Sequence, residues 1–141
     1  MKCTIMLSGL FILFSNTGYS QDTGPKVTIK NLEGKTGQVY IGWYNSAAAF
    51  ASKQKAVFKK IVKVTGQYEL SVPFEVIPPG KYAIAVYLDE NGNGVIDKNI
   101  LGIPKEKYGF SNNASPAMRA PRYEEAVFEM SGKENIEIKL K

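Results

Sequence analysis

The chain has 141 residues, 44% of them hydrophobic and 22% charged, with a net charge of +5. That is the make-up of one globular domain, large enough for an apolar core without a metal or disulfide staple. It has no histidine and one cysteine, Cys3, which excludes a Ser-His-Asp relay and most zinc or copper sites.

Residues 1–20 read as a signal peptide. Met1 and Lys2 give a short basic start, and Cys3 to Phe14 form an apolar run too short to span a bilayer. Gly18-Tyr19-Ser20 supplies small residues at the minus-three and minus-one positions, so cleavage is expected after Ser20. The alternative is an N-terminal anchor that stays attached. Cys3 is badly placed for lipid modification and is lost on cleavage, which leaves residues 21–141 as a single domain without a thiol or a transmembrane span. The expected location is the periplasm, the outer-membrane surface or the extracellular medium.

Period-two alternation then predicts seven strands. Val27 and Ile29 open the first, and Val39, Ile41 and Trp43 share one face of the second. A single helical turn is expected at 46–52, with Asn45-Ser46 capping Ala47 to Ala49. Phe58, Val62 and Val64 mark the third strand; Tyr68, Leu70, Val72, Phe74 and Val76 line one apolar face of the fourth, where Pro73 marks an edge or a bulge. After the Pro78-Pro79-Gly80 turn, Tyr82, Ile84, Val86 and Leu88 face the core from the fifth, with Ala83 and Ala85 small enough for close packing behind it. Ala126, Phe128 and Met130 form the sixth and Ile136, Ile138 and Leu140 the seventh. The expected fold is all-β: an antiparallel seven-stranded β-sandwich, immunoglobulin- or transthyretin-like, with one long ordered loop.

That loop runs from Asp89 to Arg122, and long connections in compact domains are usually functional, self-packed or disordered. Ile100, Leu101, Ile103, Tyr108, Phe110 and Met118 argue against disorder, since these groups call for burial. Its start reads D-x-N-x-N-G-x-x-D. Asp89, Asn91, Asn93, the Val95 carbonyl and Asp97 match the front of a calcium loop, in which alternate side chains point inward and a glycine makes the sharp turn. The bidentate glutamate of such a loop is missing, with Ile100 in its place, so a further oxygen has to come from Glu106, Glu124, Glu125 or water. Two carboxylates and two amides imply weak affinity, roughly 10⁻⁴ to 10⁻³ M. The competing reading is that Asn91-Gly92 and Asn93-Gly94 are turn dipeptides and nothing more.

Tyr108, Phe110, Ser111, Asn112 and Asn113 mix aromatic and hydrogen-bonding groups, as a ligand patch for sugars or peptides does; the alternative is that the rings anchor the loop. The basic excess at 53–63 and 98–122 fits an anionic envelope polymer or an ordinary solvated surface. Another envelope protein is the other partner considered, and a nucleic acid is not expected.

Taken in order, Pro78-Pro79-Gly80-Lys81-Tyr82-Ala83, Asp89-Glu90-Asn91-Gly92-Asn93-Gly94, Leu101-Gly102-Ile103-Pro104, Tyr108-Gly109-Phe110-Ser111-Asn112-Asn113 and Pro121 resemble the bacterial exported family catalogued as domain of unknown function 2141. The resemblance covers essentially the whole chain after residue 20 and implies an exported β-sandwich with no assigned activity. The proline-glycine turn and the strand after it also resemble transthyretin-like and carboxypeptidase-regulatory sandwiches, which gives no function. The expectation is therefore a non-catalytic binding or structural module of the envelope. The rival is a hydrolase drawing an acid and base pair from Asp89, Glu90, Asp97, Glu106, Glu124 and Glu125.

Overall fold

A computed structural model describes residues 24–141, so the signal peptide expected at 1–20 lies outside the described residues. The described chain is all-β, with eight strands in two sheets. One sheet has three strands in the order β4 (Leu70–Pro73), β1 (Lys26–Lys30), β8 (Asn135–Lys139). The other is built from β3 (Phe58–Thr65), β2 (Thr36–Tyr44), β5 (Gly80–Asp89) and β6 (Tyr108–Phe110), with β7 (Phe128–Met130) on the first part of β5.

Alternation explains the core. Val27 and Ile29 of β1, Val39, Ile41 and Trp43 of β2, Ile84, Val86 and Leu88 of β5, and Ile138 of β8 are buried in one cluster fed by both sheets. The opposite face of β5 is covered too. Ala83 leaves room for Phe50, which belongs to a second buried cluster with Tyr44, Phe110 and Ala126. Phe50 is delivered by α1 (Ala47–Ser52), the helical turn expected from the sequence, whose N-cap Ser46 accepts from the Ala49 N–H at 3.3 Å.

Four expectations need correction. There are eight strands rather than seven, because Tyr108–Phe110, assigned to the loop, adds a strand to β5. The pairing is not purely antiparallel, since β1 and β8 run parallel. The fourth strand is only Leu70–Pro73, and Tyr68 and Val76 are exposed; Pro73 ends it on the edge of its sheet, where the missing N–H leaves no gap in a ladder. Ala126 closes a short helix, α2 (Tyr123–Ala126), and the strand starts only at Phe128. The Glu125 carboxylate produces that turn by accepting from the Arg122 N–H at 2.7 Å while gripping Arg119 at 2.8 and 2.9 Å. These contacts hold its carboxyl down to about 2.

Lys53 follows α1 in a left-handed conformation and lays its ammonium 3.7 Å from the centroid of the Phe50 ring. Although the residue as a whole is exposed, burial of the ammonium, aided by Lys98, pushes its pKa down from 10.5 to about 8. Burial, Tyr40 and the carboxylates of Asp89 and Glu106 push Tyr87 the other way, from 10.0 to about 12. Between about pH 8 and 10.5 the unfolded chain holds a proton on Lys53 that the folded chain lacks, so stability rises with pH. Between 10 and 12 the folded chain retains the Tyr87 proton that the unfolded chain has lost, so stability falls. Urea midpoints read from Trp43 fluorescence across that range are expected to pass through a maximum, and Lys53→Met should flatten the rising limb.

Candidate functional site

The buried end of β5 organises the site. Asp89 is fully buried, at 0% exposure, and its carboxylate is met by the next residues of the chain. The Gly92 N–H donates to Oδ1 and the Gly94 N–H to Oδ2, each at 2.8 Å. Both glycines have positive φ, 75° and 80°, which turns their N–H groups inward at low cost.

The two asparagines extend the same device. Asn91 Oδ1 accepts from the Asn93 N–H and Asn93 Oδ1 from the Val95 N–H, both at 3.1 Å. Their amide nitrogens converge on Asp97. Asn93 donates to its Oδ1 at 2.9 Å, and Asn91 makes a short contact with its Oδ2. Asp89, Asn91, Asn93 and Asp97 are thus brought into one loop, with Val95 exposed on its outside.

Glu106 completes the loop from a distant position in the chain. Almost buried at 7% exposure, it accepts from Glu90 N–H at 2.9 Å and Asp97 N–H at 3.0 Å, so one carboxylate ties the two arms together. Tyr87 supports the loop from below by donating to the Gly94 carbonyl at 3.0 Å, with its ring stacked on Tyr40 at 4.7 Å between centroids. The Lys35 ammonium holds Glu90 at 2.8 Å. Of the three acids named as further oxygen donors, Glu106 reaches the loop, whereas Glu125 is bound to Arg119. Tyr87 and Lys35 carry no sequence signal for this role, because only the β2–β5 pairing and the return of the chain bring them there.

The donor set is hard oxygen throughout, which suits calcium. Among the described residues no three His, Cys, Asp or Glu side chains group around a point, so a cation here has to rely on the amides and the carbonyl besides the carboxylates. Each carboxylate oxygen retains a lone pair beyond the N–H it accepts. For Asp97 and both asparagines to face a cation together, the two amide nitrogens have to turn away from Asp97. The fit is therefore chemical, with a local rearrangement required.

Within the Tyr108–Asn113 group, the side chains of Ser111, Asn112 and Asn113 bond to the protein's own backbone. Ser111 is fully buried, accepts from the Ile84 N–H at 2.8 Å and donates to the Ala126 carbonyl at 2.5 Å. Asn112 donates to the Val127 carbonyl at 2.9 Å, and Asn113 accepts from the Lys139 N–H at 2.8 Å. Phe110 is buried against Phe50, and Tyr108 packs beside Phe110. These contacts describe an anchor that joins β6, α2 and β8. Ile100, Leu101, Ile103 and Met118, expected to seek burial, are exposed.

The described residues thus form a two-sheet all-β fold whose 89–97 loop is pinned by buried carboxylates. Residues 27–139 match the family described as "Uncharacterized protein conserved in bacteria (DUF2141)", and the chain belongs to that family. No curated protein and no solved structure matches it.

Proposed function

We propose that the protein is an exported, non-catalytic β-sandwich module that binds or supports other components of the bacterial cell envelope, with calcium stabilising its 89–97 loop. The observation that carries this reading is the convergence of Asp89, Asn91, Asn93 and Asp97 within a single loop, where both asparagines already reach Asp97. Calcium would take the place of hydrogen-bond donors that now hold the loop closed and would lock the end of β5 to the segment that returns through Glu106. The role is one of preorganisation, in which a partner meets a surface already ordered. A carboxylate-dependent hydrolase is less well supported, because Asp89 and Glu106 spend all four carboxylate oxygens on backbone N–H groups and Glu125 is neutralised by Arg119.

Thermal unfolding of the full chain in about 10 mM calcium and in chelator tests the metal. With binding near 10⁻⁴ M, linkage gives about 2.7 kcal/mol of stabilisation, or a rise in Tm of about ten degrees. Asp97→Asn keeps the shape of the site and should abolish most of that rise. Equal melting with and without calcium would reduce the loop to a hydrogen-bonded turn.

A further inference from the structure

The segment after the calcium-like loop forms a second, separate device. Lys98 and Pro104 face each other across an antiparallel bridge, and the Asn99 N–H donates to the Ile103 carbonyl at 2.9 Å. At the tip Gly102 N–H returns to the Asn99 carbonyl at 3.0 Å. The Asn99 side chain accepts from both Leu101 N–H and Ile103 N–H, at 2.9 and 3.0 Å. This turn is closed by its own hydrogen bonds, yet it holds its largest side chains away from the protein. Ile100 is 102% exposed, as open as in an extended peptide, with Leu101 at 76% and Ile103 at 55%.

We propose that the 98–104 turn is a membrane-docking tip, which seats Ile100, Leu101 and Ile103 in the interfacial layer of a bilayer carrying anionic headgroups. Clustered exposed apolar groups on an ordered element mark an interaction site, and two features select lipid as the occupant. The first is that three backbone donors of the tip are satisfied within the turn. Leu101, Gly102 and Ile103 donate within the turn and Pro104 has no N–H, so the tip can leave water without stranding these donors.

The second is charge. Lys98 and Lys105 flank the apolar tip, both exposed and neither in an ion pair among the described residues. Beside the tip lies an open hollow of about 510 Å³ with Ile103 and Pro104 in its wall, and Lys105, Lys107 and Lys141 also line it. Lys107 is paired with Glu33 at 2.9 Å, and Glu106 in the same wall is turned into the 89–97 loop. An apolar tip flanked by unpaired lysines is the arrangement by which a peripheral protein combines shallow insertion with attraction to acidic headgroups. The inference goes beyond the envelope reading, since any anionic bilayer would serve, and it does not depend on calcium.

Sedimentation of the full chain with phosphatidylcholine vesicles, with and without phosphatidylglycerol, tests it. The apolar run at 3–14 is common to every variant, so differences between variants report on the tip. The Ile100→Ser/Leu101→Ser double variant touches only exposed groups and is expected to weaken binding to phosphatidylglycerol vesicles by about tenfold or more. Lys98→Glu/Lys105→Glu should remove the preference for phosphatidylglycerol. Hydrogen exchange at Leu101, Gly102 and Ile103 should slow when vesicles are added. Equal binding by wild type and the double serine variant would overturn the proposal. So would protection of these amides that rises with protein concentration in the absence of vesicles, which would make a second copy of the chain the occupant.

Discussion

Asp89→Ala is expected to destabilise the protein by about 3 kcal/mol or more even in chelator. The variant removes a fully buried carboxylate that receives two backbone N–H groups, and hydrogen bonds to a charged group contribute about 1.5–3 kcal/mol each. The Gly92 and Gly94 N–H groups would also lose the acceptor around which the loop turns. A urea titration read from the buried Trp43 should show a lower midpoint. Amide exchange at residues 90–97 should quicken by more than the global loss of stability explains. Asp97→Ala is the internal comparison, since Asp97 is half-buried and its partners are the exposed amides of Asn91 and Asn93; its cost should be about 1 kcal/mol. If Asp89→Ala and Asp97→Ala cost the same small amount, the carboxylate at the end of β5 does not organise the loop.

Gly37→Ala is expected to be at least as damaging, although the substitution adds a single methyl group. Gly37 sits near the start of β2, where that strand passes the end of β5, with φ at 145°. A Cβ built there would lie 2.2 Å from the Asp89 carbonyl oxygen and 3.0 Å from Glu90 Cα. Both neighbours are backbone, so neither can swing aside as a flexible side chain does. Strain in such a conformation costs about 1–3 kcal/mol, and forcing the strands apart adds about 1–3 kcal/mol more. Gly92→Ala separates the two contributions, because Gly92 also has positive φ but has open space where its Cβ would stand. It should cost only about 1 kcal/mol. Urea midpoints of the two variants, measured side by side, would have to differ clearly; equal values would mean that the two strands can separate here at little cost.

The two substitutions act on one junction. Gly37 lets β2 lie close to the backbone of Asp89, and the pairing of Tyr40 with Tyr87 then stacks two rings beneath Gly94. Asp89 gathers the loop above them, and Glu106 ties its two arms. The proposed function is built outward from this closely packed end. The calcium-like loop lies directly on it, and the lysine-flanked apolar tip projects from the same connection between β5 and β6.

Alternation in the sequence determined seven of the eight strands at least in part, and with them the residues of the core, because a strand that buries one face must place its apolar side chains two apart. The Ser46 cap and the special character of residues 89–97 were also written in local chemistry, since a cap or an Asx turn needs only neighbours in the chain. The tertiary structure decided what depends on residues distant in sequence. The strand Tyr108–Phe110 was hidden because three residues carry too little alternation, and it exists because β5 offers an edge while Gly109 permits close approach to Ile138. The parallel pairing of β1 with β8 and the burial of Glu106 within the 89–97 loop likewise arise only when the chain returns on itself. Ile100, Leu101 and Ile103 mark the opposite limit. Their apolar character predicted burial, yet a turn closed by the Asn99 side chain extends them into solvent, because hydrogen bonding of the local backbone, and not hydrophobicity, fixes where that turn points.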